Sequence, residues 1–111
     1  MEEDVRVANI TDLGSDWKEL HPNAVYIGRS NLRMGLPASP LANPYKIGKH
    51  TREEVIGMYR DWLWSQIKAK NPRVMQALDS LTEDSILVCW CHPKPCHGEV
   101  VIRAWNWLKS Q

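Results

Sequence analysis

The chain has 111 residues, 43% hydrophobic and 24% charged, with 14 Lys and Arg against 13 Asp and Glu and a net charge of +1. That length predicts one domain over residues 1–111, large enough to bury a core without disulfides or metal. The composition excludes disorder, collagen and coiled coil, and the near-neutral total supplies no global field toward nucleic acid or an anionic membrane.

Val5-Arg6-Val7-Ala8-Asn9-Ile10 starts with apolar–polar alternation and is rich in β-branched residues, which predicts a first strand. Thr11-Asp12-Leu13-Gly14-Ser15-Asp16 is turn chemistry. Ala24-Val25-Tyr26-Ile27-Gly28 is a short apolar run closed by glycine, a second strand expected to be buried. Residues 29–50 have no period and hold Pro37, Pro40, Pro44, Gly35 and Gly48, an irregular loop of the length that usually serves function. Thr51-Arg52-Glu53-Glu54 fits a capping box. Val55, Ile56, Tyr59, Trp62, Leu63 and Ile67 then recur at helical spacing. Asn71-Pro72 ends that helix and opens another, with Val74, Ala77, Leu78 and Leu81 as its inner stripe. Ile86-Leu87-Val88-Cys89-Trp90-Cys91 is the strongest strand, and Cys96 or His97 opens a last helix with Val100, Val101, Ala104, Trp105 and Leu108 inward.

The predicted architecture is therefore α/β: a small, Rossmann-like, three-layer arrangement with a short, mostly parallel sheet of about three strands and three helices. No stretch approaches the length of a membrane-spanning helix. The acidic start Met1-Glu2-Glu3-Asp4 is unlike a signal peptide. Three cysteines crowd into eight positions, where a secreted framework would spread an even number. Both features predict a reducing, cytoplasmic setting.

The charge is unevenly placed. Residues 1–20 carry six acids and two bases, residues 21–52 carry five bases (Arg29, Arg33, Lys46, Lys49, Arg52) and no acid, and residues 53–111 carry seven of each. A basic loop in a neutral chain suits a small anion better than a polyanion. Nucleic acid is further disfavoured because that loop is poor in aromatics. In parallel sheets ligands sit beyond the carboxyl ends of strands. Both the loop after Gly28 and the segment after Trp90 fall there.

That second segment, Cys89-Trp90-Cys91-His92-Pro93-Lys94-Pro95-Cys96-His97-Gly98, admits three readings. Cys89, Cys91, Cys96 and His97 are zinc-type donors, although paired zinc motifs use two separated halves of the chain. Cys96 in a first helical turn could instead be a thiolate nucleophile, with Cys91 as a second candidate and His97 as acid or base. The same helix start at Gly98 could supply amides to a phosphate or carboxylate. Finally, cysteines with apolar neighbours can simply pack as small hydrophobes. Six tryptophans and no Phe add a possible interface. Trp62 and Trp105 fall on inner faces, whereas Trp64 and Trp107 point elsewhere and would suit a partner such as a second copy of the chain.

Two motif groups carry a resemblance. The first is Val25-Tyr26-Ile27-Gly28-Arg29 with Ser39-Pro40-Leu41-Ala42-Asn43-Pro44-Tyr45 and Ile47-Gly48. The second is Leu87-Val88-Cys89-Trp90-Cys91 with Pro95-Cys96-His97-Gly98, and Thr51-Arg52-Glu53-Glu54 and Tyr59-Arg60 lie between them. The chain resembles the family called domain of unknown function 4326, from about Val5 to Leu108, departing at Ala42 and Tyr45 where that family often has Gly and Phe. The resemblance implies a bacterial or phage source and a shared set at Gly28, Arg29, Ser39, Asn43, Pro44, Cys91, Cys96 and His97. It implies no established activity. The Cys-His helix start is also similar to another uncharacterised family with a nucleotide-binding-like α/β fold. That analogy hints at nucleotides.

The resulting expectation is a site for a nucleotide or nucleotide-like anion, bound and conceivably processed. Its ligand-binding residues are Gly28, Arg29, Ser39, Asn43, Pro44, Lys46 and Gly98, with Arg33 in reserve. Its chemistry would rest on Cys91, Cys96 and His97. The alternatives are a zinc-stabilised interaction module without catalysis and a phage protein that sequesters a ligand unchanged.

Overall fold

A computed structural model describes residues 5–45, 48, 50–90 and 96–111. Its centre is a parallel sheet of β1 (Arg6–Asn9), β2 (Ala24–Tyr26) and β3 (Ile86–Cys89), in the order β1-β3-β2. β3 is central because all four of its residues can be buried, and Ile86-Leu87-Val88-Cys89 has no polar side chain to solvate. Val7 and Val25 both stand opposite Leu87 in the register. β2 is an edge strand, and its three residues are half-buried rather than buried as expected. Full burial begins only at Ile27.

Strand alternation sends side chains to two faces. On one face Val7, Val25, Leu87 and Cys89 pack with Tyr59, Leu63, Val74, Leu78, Val101 and Trp105. These come from α3 (Arg52–Lys68), α4 (Pro72–Asp79) and α5 (Gly98–Lys109). On the other face Val88, with Ala24 and Tyr26, meets Ile10, Trp17 and Leu36. That side is covered by two one-turn helices, α1 (Ile10–Leu13) and α2 (Trp17–Leu20), and by the loop after β2. The crossover from β1 to β2 steps over β3, and the next one steps back. Equal handedness then puts the two connections on opposite faces, as found. The arrangement is Rossmann-like in this sense: a small parallel sheet with helices on both sides.

The long helices begin where the capping residues put them. Thr51 accepts from the Glu54 amide and Glu54 accepts from the Thr51 amide. The Thr51 amide holds the Glu54 carboxyl below its usual range. Asn71 accepts from the Arg73 amide at 3.1 Å and Pro72 takes the first turn of α4. α1 and α2 are additions to the expected pattern. The Asn9 side chain caps α1 at the Thr11 amide, 2.9 Å away, and Gly14 at φ 87 ends it. A single turn is too short to show a 3.6-residue period. The loop expected over 29–50 holds a 3-10 turn, Leu32–Met34, closed by Gly35 at φ 66.

The tryptophans divide partly as expected, with Trp105 inward and Trp107 exposed. Trp105 is buried, Trp62 is half-buried against the Tyr59 ring, and Trp17, unassigned by periodicity, is buried on the opposite face. Trp64 and Trp107 meet edge to face at 5.0 Å, closing the seam between α3 and α5.

Candidate functional site

The carboxyl ends of β2 and β3 open into a cavity of about 430 Å³. Its walls come from four segments. Tyr26, Gly28, Arg29, Ser30 and Asn31 follow β2, Asn43 and Tyr45 return from the long loop, Arg52, Val55 and Ile56 open α3, and Cys89, Trp90, Cys96 and His97 run from β3 into α5. The cationic loop and the Cys96-His97 turn thus share one cleft.

A chain of hydrogen bonds ties these segments together. The Trp90 indole N–H donates to the Tyr26 hydroxyl at 3.0 Å, and that hydroxyl donates to the Arg29 carbonyl at 2.6 Å. Gly28 makes this possible, since a Cβ there would lie 2.6 Å from Cζ of the Tyr26 ring. The Arg29 guanidinium then donates to the carbonyls of Asn43 (2.9 Å) and Tyr45 (2.5 Å). Asn43 Oδ1 accepts from the Tyr45 amide at 2.8 Å, which closes an Asx turn. The Arg29 fork holds the loop and keeps further donors of its own. Arg52, in the first turn of α3, brings a second guanidinium to the same wall.

His97 is buried, and its Nε2 lies 2.8 Å from the Ile27 carbonyl. A carbonyl only accepts, so Nε2 carries the proton. Burial holds the His97 pKa below its ordinary value, and the nearby Arg29 charge acts in the same direction. The ring stands edge-on to Tyr59, whose hydroxyl donates to the Leu41 carbonyl at 2.7 Å.

Cys89 and Cys96 are 1% and 3% exposed, with their sulfurs 3.4 Å apart. The hydrogen bond with Cys89, together with burial, pushes the Cys96 thiol well above its usual range, despite the Gly98 amide donating to its sulfur at 3.3 Å. That direction opposes the thiolate expected from the helix start. The helix start itself lies one residue later than Cys96-His97, with His97 as the cap of α5. The Gly98 amide of its first turn donates to the Cys96 sulfur, and the Cys96 amide just ahead of the helix donates to Glu99 at 3.1 Å. Gly98 does not line the cavity. A Cβ there would sit 2.7 Å from Val7, so this glycine lets α5 lie against β1.

Of the expected residues, Gly28, Arg29, Asn43, Cys96 and His97 meet in the cavity. Ser39 stands outside it. Its side chain accepts from the Leu41 amide and its own amide donates to Gly28, which orders the loop. Pro44 and Arg33 are exposed and do not line it. Cys91 and Lys46 lie outside the described residues. Among the described residues no group of three metal-type donors assembles, and His97, one of the alternative zinc donors, has its Nε2 at 2.8 Å from the Ile27 carbonyl. The polar and aromatic lining residues that the sequence reading did not count as ligand-binding are Tyr26, Ser30, Asn31, Tyr45, Arg52 and Trp90. Tyr26 and Trp90 had a signal in the strand alternation, because Tyr26 ends β2 opposite Val88 and Trp90 follows β3 two residues after Val88.

The fold and site define a small parallel α/β protein with a cationic, aromatic-lined cleft at the carboxyl edge of its sheet. The chain belongs to the family described as Domain of unknown function (DUF4326), whose model matches residues 11–107. No curated protein and no solved structure matches it. Among the described residues no helix is long and apolar enough to cross a membrane.

Proposed function

We propose that the cleft binds a nucleotide-like anionic small molecule. One observation carries the reading: the described residues lining the cavity include Arg29 and Arg52 and not one carboxylate. An anion entering there meets the Arg29 guanidinium, which the carbonyls of Asn43 and Tyr45 hold in place. The faces of Tyr26, Tyr45 and Trp90 supply stacking surface for a planar ring, and Asn31 and Asn43 supply polar edges. A volume of about 430 Å³ suits a mononucleotide-sized ligand. The reading is of binding first, since the buried Cys96 thiol favours its protonated form. Two buried free thiols fit a reducing compartment such as the cytoplasm.

Thermal unfolding with AMP, ADP, cyclic AMP and ADP-ribose, against uncharged adenosine, tests this. The charged ligands are expected to raise the Tm, by the equivalent of about 1.4 kcal/mol at ten times Kd, and adenosine to raise it less. In Arg52→Ala the increment is expected to shrink at least tenfold in apparent affinity. No shift with any of the four at millimolar concentration, or an equal shift with adenosine, would overturn the reading.

A further inference from the structure

The cleft holds a second feature that anion binding does not use. Cys89 ends β3, Cys96 precedes α5, and their sulfurs stand 3.4 Å apart. A disulfide needs about 2.05 Å, so the pair must close by only about 1.4 Å. Both residues are buried in the wall of the cavity, the side from which a small oxidant would approach.

We propose that Cys89 and Cys96 are a reversible dithiol–disulfide pair, a modification site set in the inner wall of the cleft, with a small peroxide as its oxidant. Either sulfur can react first, since each lies against the other at 3.4 Å. One thiol gives up its proton and attacks one peroxide oxygen, the O–O bond breaks, and the departing hydroxide takes up that proton as water, leaving a sulfenic acid. The second sulfur then attacks the sulfenic sulfur, and its proton leaves with the sulfenic hydroxyl as a second water. Overall two S–H bonds are replaced by one S–S bond, and one hydrogen peroxide becomes two waters. The new bond ties the end of β3 to the start of α5, joining two walls of the cleft.

The test uses full-length Cys91→Ser, which leaves Cys89 and Cys96 as the only thiols. It is treated with hydrogen peroxide, denatured, alkylated without reductant and weighed intact. The expected product takes up no alkyl group, is lighter than the reduced chain by two hydrogens, and regains two alkylatable thiols with dithiothreitol. Retention of both alkylatable thiols would overturn the proposal, as would sulfinic acid without a disulfide. In the wild-type chain, a mapped bond from Cys91 to either partner would also overturn it. None of these readouts needs a bound anion, so the pair stands or falls separately from the ligand reading.

Discussion

His97 links the sheet edge to the helix layer through a single proton. The Nε2–H that meets the Ile27 carbonyl exists in the neutral ring, and burial disfavours the charged one. The folded-state pKa lies below the ordinary 6.5, so the unfolded chain takes up a proton first as the pH falls. The contribution of this residue to stability is therefore complete above that value and is lost as the solution is acidified through it. Urea denaturation between about pH 7 and 5, above the range where most carboxylates titrate, is expected to show falling midpoints. In His97→Gln, which keeps a donor for Ile27, that slope is expected to flatten. An unchanged slope would mean that other groups govern the acid side. Arg29 also joins elements, because its fork holds two loop carbonyls while its charge faces the cleft. A lysine in its place lacks the paired geometry for both tasks.

Helix placement depends on small contacts at helix ends. α5 approaches β1 because Gly98 presents no side chain to Val7. Gly98→Ala places a methyl carbon 2.7 Å from a Val7 methyl and 3.3 Å from the Cys96 sulfur. Val7 is held in the core and cannot swing away freely. Overpacking of this kind costs about 1–3 kcal/mol. Chemical denaturation is expected to show a loss in that range with an unchanged m-value. A neutral or stabilising result would mean that α5 rides further from β1. α3 is placed by its capping box, which sets Arg52, Val55 and Ile56 against the cleft.

The cleft is an assembly of segments distant in sequence. The loop after β2 is tied to Tyr45 by Arg29, to Trp90 by Tyr26, and to the buried His97 by the Ile27 carbonyl. A ligand that bridges these walls should quiet them together. Hydrogen exchange measured with and without a ligand that raises the Tm is expected to slow in residues 27–45, 52–56 and 96–98 at once. Protection confined to one of these segments would show that the ligand sits outside the shared cavity. Trp64 and Trp107 meet edge to face within the molecule, and Trp107 stays exposed beside that contact.

Much of this was legible along the chain, for local reasons. Helical periodicity marked α3, α4 and α5, alternation marked β1, and apolar runs marked β2 and β3. Thr51 and Asn71-Pro72 marked the starts of α3 and α4, and the absence of acids over residues 21–52 marked the cationic wall. Capping, hydrophobic period and charge runs act between near neighbours, so neighbouring letters are enough to reveal them. Folding settled what depends on residues far apart. β3 became central and β2 an edge. Gly98 became a packing contact with Val7, and Ser39 an ordering contact for the loop. Cys96 came to lie against Cys89, and that contact together with burial pushes its thiol pKa up. Burial and through-space approach set these outcomes, and both depend on which segments the sheet order brings side by side.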